Sequence, residues 1–148
     1  MDSTSTLPAE LLLHIQKDTD ISAPVAIVWE SLLEQVGSGF EKSDGTPLPM
    51  KFEAWPGGRW YRDLGNNARH FWGHVQVIKP PTLLEIVGPM FMSYAVASHA
   101  QYRLTEQGRG TRLTLIHRAI ADIPADQRAG MNKGWEYIVN KIKTRAER

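Results

Sequence analysis

The sequence predicts an α+β fold in which a curved antiparallel sheet of about seven strands surrounds a long C-terminal helix. Three observations support this prediction. A predicted strand ends at residues 21–24, and a helix that contains Val28 and Trp29 follows, because Pro24 fits the first helical turn. Residues 56–58 form a tight reversal between strands, and apolar residues recur at helical spacing across residues 125–147. A sheet around a helix implies a cavity, although it does not name the ligand.

Size and composition limit the classes of function. The 148 residues are expected to form one domain spanning residues 1–148, with residues 1–9 frayed. The 17 Lys and Arg against 16 Asp and Glu give a net charge of +1, so no long-range field attracts a polyanion and a nucleic-acid partner is not expected. The absence of cysteine excludes disulfides, thiolate metal sites and a cysteine nucleophile.

The first residues predict a cytoplasmic location. Residues 1–10 lack the basic start and apolar core of a signal peptide, and the apolar run at Leu11 ends at His14. No apolar run approaches the roughly 20 residues that cross a bilayer, so no membrane span is expected.

The first half of the chain is predicted as a strand, a helix and a loop. Residues 11–21 read as the strand, and Ser22 is a candidate cap for a helix over residues 24–35. Residues 37–49, rich in Gly and Pro, form a loop around Phe40. The apolar stripe of the helix comprises Val25, Val28, Trp29, Leu32, Leu33 and Val36.

The second half is predicted as a meander and a closing helix. Turn residues separate six strands at 50–55, 59–64, 69–78, 82–87, 96–106 and 111–119. In the closing helix, Gly130 and Gly134 lie on one side and leave room for close approach by a bulky group. Its apolar stripe comprises Met131, Trp135, Ile138, Val139 and Ile142.

The histidines do not predict a metal site. His70 and His74 lie on one predicted strand about 13 Å apart at the usual rise of ~3.3 Å per residue, which is too far for one ion. His117 alternates inward with Leu115, so it is a ligand-binding residue, a general base or a buried neutral imidazole with a protein partner. The sequence also has no phosphate loop, dinucleotide fingerprint or nucleophile elbow, so no cofactor is expected.

Aromatic and methionine side chains supply the candidate binding surface. They line an apolar pocket or form the core, and Trp72 belongs to the same aromatic group. Residues 90–92 either tuck under the sheet edge, which we favour, or form an adaptable patch at a pocket rim or dimer contact. The candidate ligand-binding residues are Trp60, Phe71, Phe91, Tyr102, Leu115, His117, Met131 and Trp135.

The order strand, helix, loop, six strands and long helix resembles the helix-grip fold of the START, or SRPBCC, superfamily. Five segments in this order look like the bacterial homologues of the activator of the heat shock protein 90 ATPase, over roughly residues 15–143. The segments are Ile21-Ser22-Ala23-Pro24 with Val28-Trp29, Pro56-Gly57-Gly58, Gly73-His74-Val75 with Pro80-Pro81-Thr82-Leu83, residues 110–117, and Gly134-Trp135.

The resemblance and the predicted cavity together favour binding of a small hydrophobic or amphipathic molecule. Two alternatives stay open: a cyclase-type or hydratase-type enzyme in which His117 moves a proton, and a chaperone-interacting module, which the family name implies. A homodimer is a further expectation for the partners of the chain.

Overall fold

The computed structural model describes residues 8–148 and confirms the α+β helix-grip fold. The seven strands form one antiparallel sheet in the order β1-β7-β6-β5-β4-β3-β2. Of residues 1–9, which are expected to be frayed, all but Pro8 and Ala9 lie outside the described residues, and a short 3₁₀ helix spans Ala9–Leu11. The elements are β1 (Leu12–Ile21), α1 (Val25–Val36), β2 (Lys51–Phe52), β3 (Arg59–Gly65), β4 (Ala68–Lys79), β5 (Leu83–Val87), β6 (Ala97–Gln107), β7 (Gly110–Ile120) and α2 (Ala125–Ala146).

The start of α1 differs from the prediction that Ser22 caps it. Pro24 occupies the cap position, with its carbonyl accepting the N–H groups of Ile27 and Val28, and no side chain caps the helix. The N–H of Ser22 instead donates to the Glu147 carboxylate at 2.8 Å. The strand-to-helix junction is therefore tied to the far end of α2.

The strand β2 is shorter than the predicted strand over residues 50–55. Trp55 donates its N–H to the Glu53 carbonyl, and Gly58 donates to the Trp55 carbonyl at 2.8 Å. These bonds close the reversal before the predicted strand can extend beyond Phe52.

The core lies between the concave face of the sheet and the two helices. Val28 and Leu32 of α1, Ile142 of α2, and Leu113 and Leu115 of β7 have no exposed surface. Alternate residues of β6 and β7 are buried, as the sequence alternation predicts. Among residues 8–148, no helix combines the length and apolar character needed to cross a membrane.

Candidate functional site

A cavity of about 550 Å³ lies between the first half of α2, the loop between α1 and β2, and the β3–β4 end of the sheet. Its volume is in the range of small-molecule sites. Its walls are mostly apolar, and polar side chains gather at Glu41, Lys42, Ser43, Asp126, Gln127 and Tyr137. The apolar lining comprises Phe40, Leu48, Trp60, Trp72, Met90, Phe91, Met131, Trp135 and Ile138.

Three aromatic rings form one wall of the cavity. The ring centroids of Trp60 and Trp72 are 5.1 Å apart, and Phe40 lies 5.3 Å from Trp72, both pairs edge to face. The Trp60 indole N–H donates to the Val36 carbonyl at 2.7 Å, and that of Trp72 donates to His70 Nδ1 at 3.1 Å. Because the protein satisfies both N–H groups, the wall offers a ligand apolar ring surface.

A bulge in β4 explains why Trp72 belongs to this wall. Trp60 pairs with Gly73, and the following pair is Tyr61 with Phe71, so Trp72 is an extra residue in β4. The bulge leaves both Trp72 and Gly73 buried, whereas Phe71 is 39% exposed.

The opposite wall includes backbone of α2 at two glycines. A Cβ built on Gly130 or Gly134 would meet no atom within 4 Å. The sequence predicts that these glycines make room for a bulky group, and the structure shows that the room is part of the cavity. A glycine inside a helix costs about 1 kcal/mol relative to alanine. The two glycines therefore lower the stability of α2.

The loop after α1 is attached to α2 at the cavity rim. Glu41 Oε1 accepts a hydrogen bond from the Tyr137 hydroxyl at 2.8 Å and pairs with Lys141 Nζ at 2.9 Å. The hydrogen bond from Lys141, followed by that from Tyr137, lowers the pKa of the Glu41 carboxyl. The loop carries Phe40 and Leu48, so this attachment holds one cavity wall in place.

His117 of β7 is buried next to the cavity residue Trp135, and its hydrogen bonds connect the sheet to α2. Its Nδ1 accepts the Trp135 indole N–H at 2.9 Å, and its Nε2 lies 2.7 Å from Ser98 Oγ. An indole N–H can only donate, so the Nδ1 lone pair is engaged and the ring proton of the neutral imidazole lies on Nε2, donating to Ser98. Burial, with a smaller contribution from His99, lowers the pKa of His117 to about 4. A Ser–His pair with this polarity cannot activate the serine, because the base already holds its proton on Nε2.

The structure brings together four of the eight candidate binding residues. Trp60, Phe91, Met131 and Trp135 line the cavity. Tyr102, Leu115 and His117 are buried in the core, where Tyr102 and His117 contact Trp135 from below.

Phe71 lies apart from the cavity, on the outer face of the sheet. It packs against His74 with ring centroids 4.7 Å apart and pairs with Tyr61 across β3. The bulge at Trp72 sets this orientation, and strand alternation alone does not reveal it.

Residues 90–92 divide between the two predicted environments. Met90 and Met92 are buried, as favoured from the sequence, whereas Phe91 is 42% exposed at the cavity rim. Leu48 and Phe40 line the cavity but are not among the residues predicted for the site. An apolar residue within a polar loop is the signal that could have identified each of them.

His70 and His74, which the sequence predicts to be too far apart to bind one ion, contact different residues. His70 accepts the Trp72 indole N–H, and His74 packs on Phe71. Within residues 8–148, no group of three or more His, Cys, Asp or Glu side chains is arranged to hold a metal ion.

Comparison with known proteins decides the family. The model of the family described as Activator of Hsp90 ATPase homolog 1-like protein matches residues 22–147. The chain belongs to this family. A search of curated protein sequences finds no match.

Solved structures share the fold of this family member. A Chromobacterium violaceum protein is 16% identical, with 91% of this chain and 98% of that chain covered and a TM-score of 0.69. CalU16 from Micromonospora echinospora is 24% identical, with 91% and 76% covered and a TM-score of 0.64. StfQ, a di-domain ARO/CYC from the steffimycin biosynthetic pathway, is 12% identical, with 93% and 51% covered and a TM-score of 0.68. At these identities the similarity establishes the fold alone.

Proposed function

We propose that this protein is a cytoplasmic binding module that takes up a small hydrophobic or amphipathic molecule in the cavity beside α2. The observation that carries the proposal is the cavity itself, about 550 Å³ in volume with mostly apolar walls. Burial of apolar ligand surface contributes about 25 cal/mol per Å². The polar side chains at the rim suit the polar end of an amphipathic molecule.

The tryptophan hydrogen bonds support binding rather than reaction. The indole N–H groups of Trp60, Trp72 and Trp135 each have a protein acceptor. They therefore stay satisfied when the cavity is empty, and a ligand needs only to replace apolar contacts. This arrangement favours a preformed site.

An enzyme of the cyclase or hydratase type is the second candidate, and the geometry gives it less support. His117 is the predicted proton carrier, but it is buried and both ring nitrogens have partners. Its low pKa keeps the imidazole neutral near pH 7, so it cannot serve as a general acid. Its Nδ1 lone pair accepts the Trp135 N–H and is therefore not free to act as a general base. The fold similarity to StfQ is the remaining support for this candidate.

A chaperone-interacting module is the third candidate, and it rests on the family description. Incubation with purified Hsp90 followed by size-exclusion chromatography tests it, and the absence of a complex would remove it. The same chromatography reports whether the chain forms the expected homodimer.

Two phenylalanines of similar exposure provide a direct test of binding. Phe91 lines the cavity and Phe71 lies on the outer face. We expect the protein to bind the fluorescent probe N-phenyl-1-naphthylamine, Phe91→Ala to weaken binding roughly fivefold through lost apolar contact, and Phe71→Ala to leave it unchanged.

Native mass spectrometry after incubation with a lipid extract gives an independent measurement. A bound lipid retained by the wild type and lost from Phe91→Ala supports the proposal. Wild-type protein that takes up neither lipid nor probe contradicts it, and equal loss in Phe71→Ala would place binding on another surface.

A further inference from the structure

We propose that Gly130 and Gly134 are the size-determining positions of the cavity, with the apolar body of the ligand lying directly against the backbone of α2. The inference rests on the proposed binding function. The two glycines are one helical turn apart, about 6 Å along the axis, and both line the cavity. Together they form a strip without side chains beside Met131 and Trp135, which also line the cavity.

The fold gives no other reason for glycine at these two positions. Ten of the twelve glycines are explained by a Cβ that would crowd neighbouring atoms or by a left-handed backbone conformation. Gly130 and Gly134 have neither constraint, because they lie inside a helix and face open space. Crowding explains Gly37, Gly39, Gly58, Gly73, Gly88 and Gly110, and positive φ explains Gly45, Gly57, Gly65 and Gly108.

Close helix packing does not explain the pair either. Where small residues serve to bring two elements together, the neighbouring element fills the space above them. Here no atom lies within 4 Å of either built Cβ. The space is therefore available to a ligand.

The strip also indicates the chemistry of the ligand body. Backbone N–H and C=O groups inside a helix are already paired with each other, so the strip offers no free hydrogen-bonding group. Across the cavity, Trp60 and Trp72 present ring surface. An uncharged, flat apolar group of two or more rings fits between these walls, and side chains at the two glycines would restrict the cavity to smaller groups.

Substitution of one glycine separates ligand size from stability. Gly134→Leu should reduce affinity for N-phenyl-1-naphthylamine at least tenfold while affinity for toluene, measured by NMR titration, changes less than threefold. Gly134→Ala should raise the melting temperature by about 3 °C, because the methyl group improves helix propensity without a clash. Asn132→Leu and Asn132→Ala are the matched controls, since Asn132 is exposed on α2 outside the cavity lining.

The outcomes distinguish this inference from the binding proposal. Wild type that binds neither probe overturns both. Wild type that binds the naphthylamine, together with a folded Gly134→Leu that binds it equally well, overturns the size-determining role alone. An equal loss of naphthylamine affinity in Asn132→Leu would likewise overturn it, because a leucine on α2 outside the cavity would then have the same effect.

Discussion

The two halves of α2 differ in what they pack against. The first half carries Gly130 and Gly134 and borders the cavity. The second half packs closely, with Ile142 fully buried, and the Lys143 ammonium donates to the Asp20 carbonyl at 2.8 Å. The comparison indicates that the second half mainly serves packing, whereas the first half combines packing at Met131 and Trp135 with space for a ligand.

The largest expected effect comes from the packed half. Ile142→Ala should lower the free energy of unfolding by about 3.5 kcal/mol, because a fully buried side chain is replaced by a void. Urea denaturation measures this change. Ile27 of α1, which is 42% exposed, provides the matched control, and Ile27→Ala should change stability by less than about 0.5 kcal/mol. Similar losses from both substitutions would contradict the comparison.

The connection between Trp135 and His117 predicts a pH dependence of stability. The folded-state pKa of about 4 lies below the ordinary histidine pKa of 6.5, so the unfolded chain binds the proton more readily. Stability is therefore fully present above pH 6.5 and falls as the pH is lowered towards 4. The loss between pH 7.5 and pH 5 should be about 2 kcal/mol.

Urea titrations at the two pH values measure this loss. His117→Gln is the informative variant, because an amide can accept from Trp135 and donate to Ser98 without titrating. We expect the variant to lose this pH dependence. An unchanged slope would assign the effect to other groups.

The smallest expected effect concerns the rim. Glu41→Gln removes the charge that pairs with Lys141 while keeping an acceptor for the Tyr137 hydroxyl. The pair is partly exposed at the surface, and surface ion pairs contribute little to stability, so the melting temperature should hardly change. Dissociation of N-phenyl-1-naphthylamine should accelerate roughly threefold, because the loop is then held less firmly to α2. Stopped-flow fluorescence measures this rate. An unchanged rate would mean that the loop does not control ligand release.

The fold could be predicted largely from the sequence because its signals are local. Pro24 ends the first strand region, and the apolar spacing around Trp135 identifies the closing helix. The inward alternation of Tyr102 and His117 also follows from the two-residue period of a strand.

The site could be predicted only in part because its walls depend on irregular structure. The bulge that turns Trp72 inward and leaves Phe71 outside arises from the pairing of β3 with β4, which no single strand encodes. The role of Phe40 depends on how the loop folds back onto α2. The open space above Gly134 is set by atoms that are distant in sequence.

The distribution of the tryptophans gives the molecule an intrinsic reporter of cavity occupancy. Trp60, Trp72 and Trp135 border the cavity, Trp29 is buried in α1, and Trp55 is 58% exposed. An apolar molecule that lies against these three indoles would change their emission. Trp55 would continue to emit at long wavelength, providing an internal reference within the same spectrum.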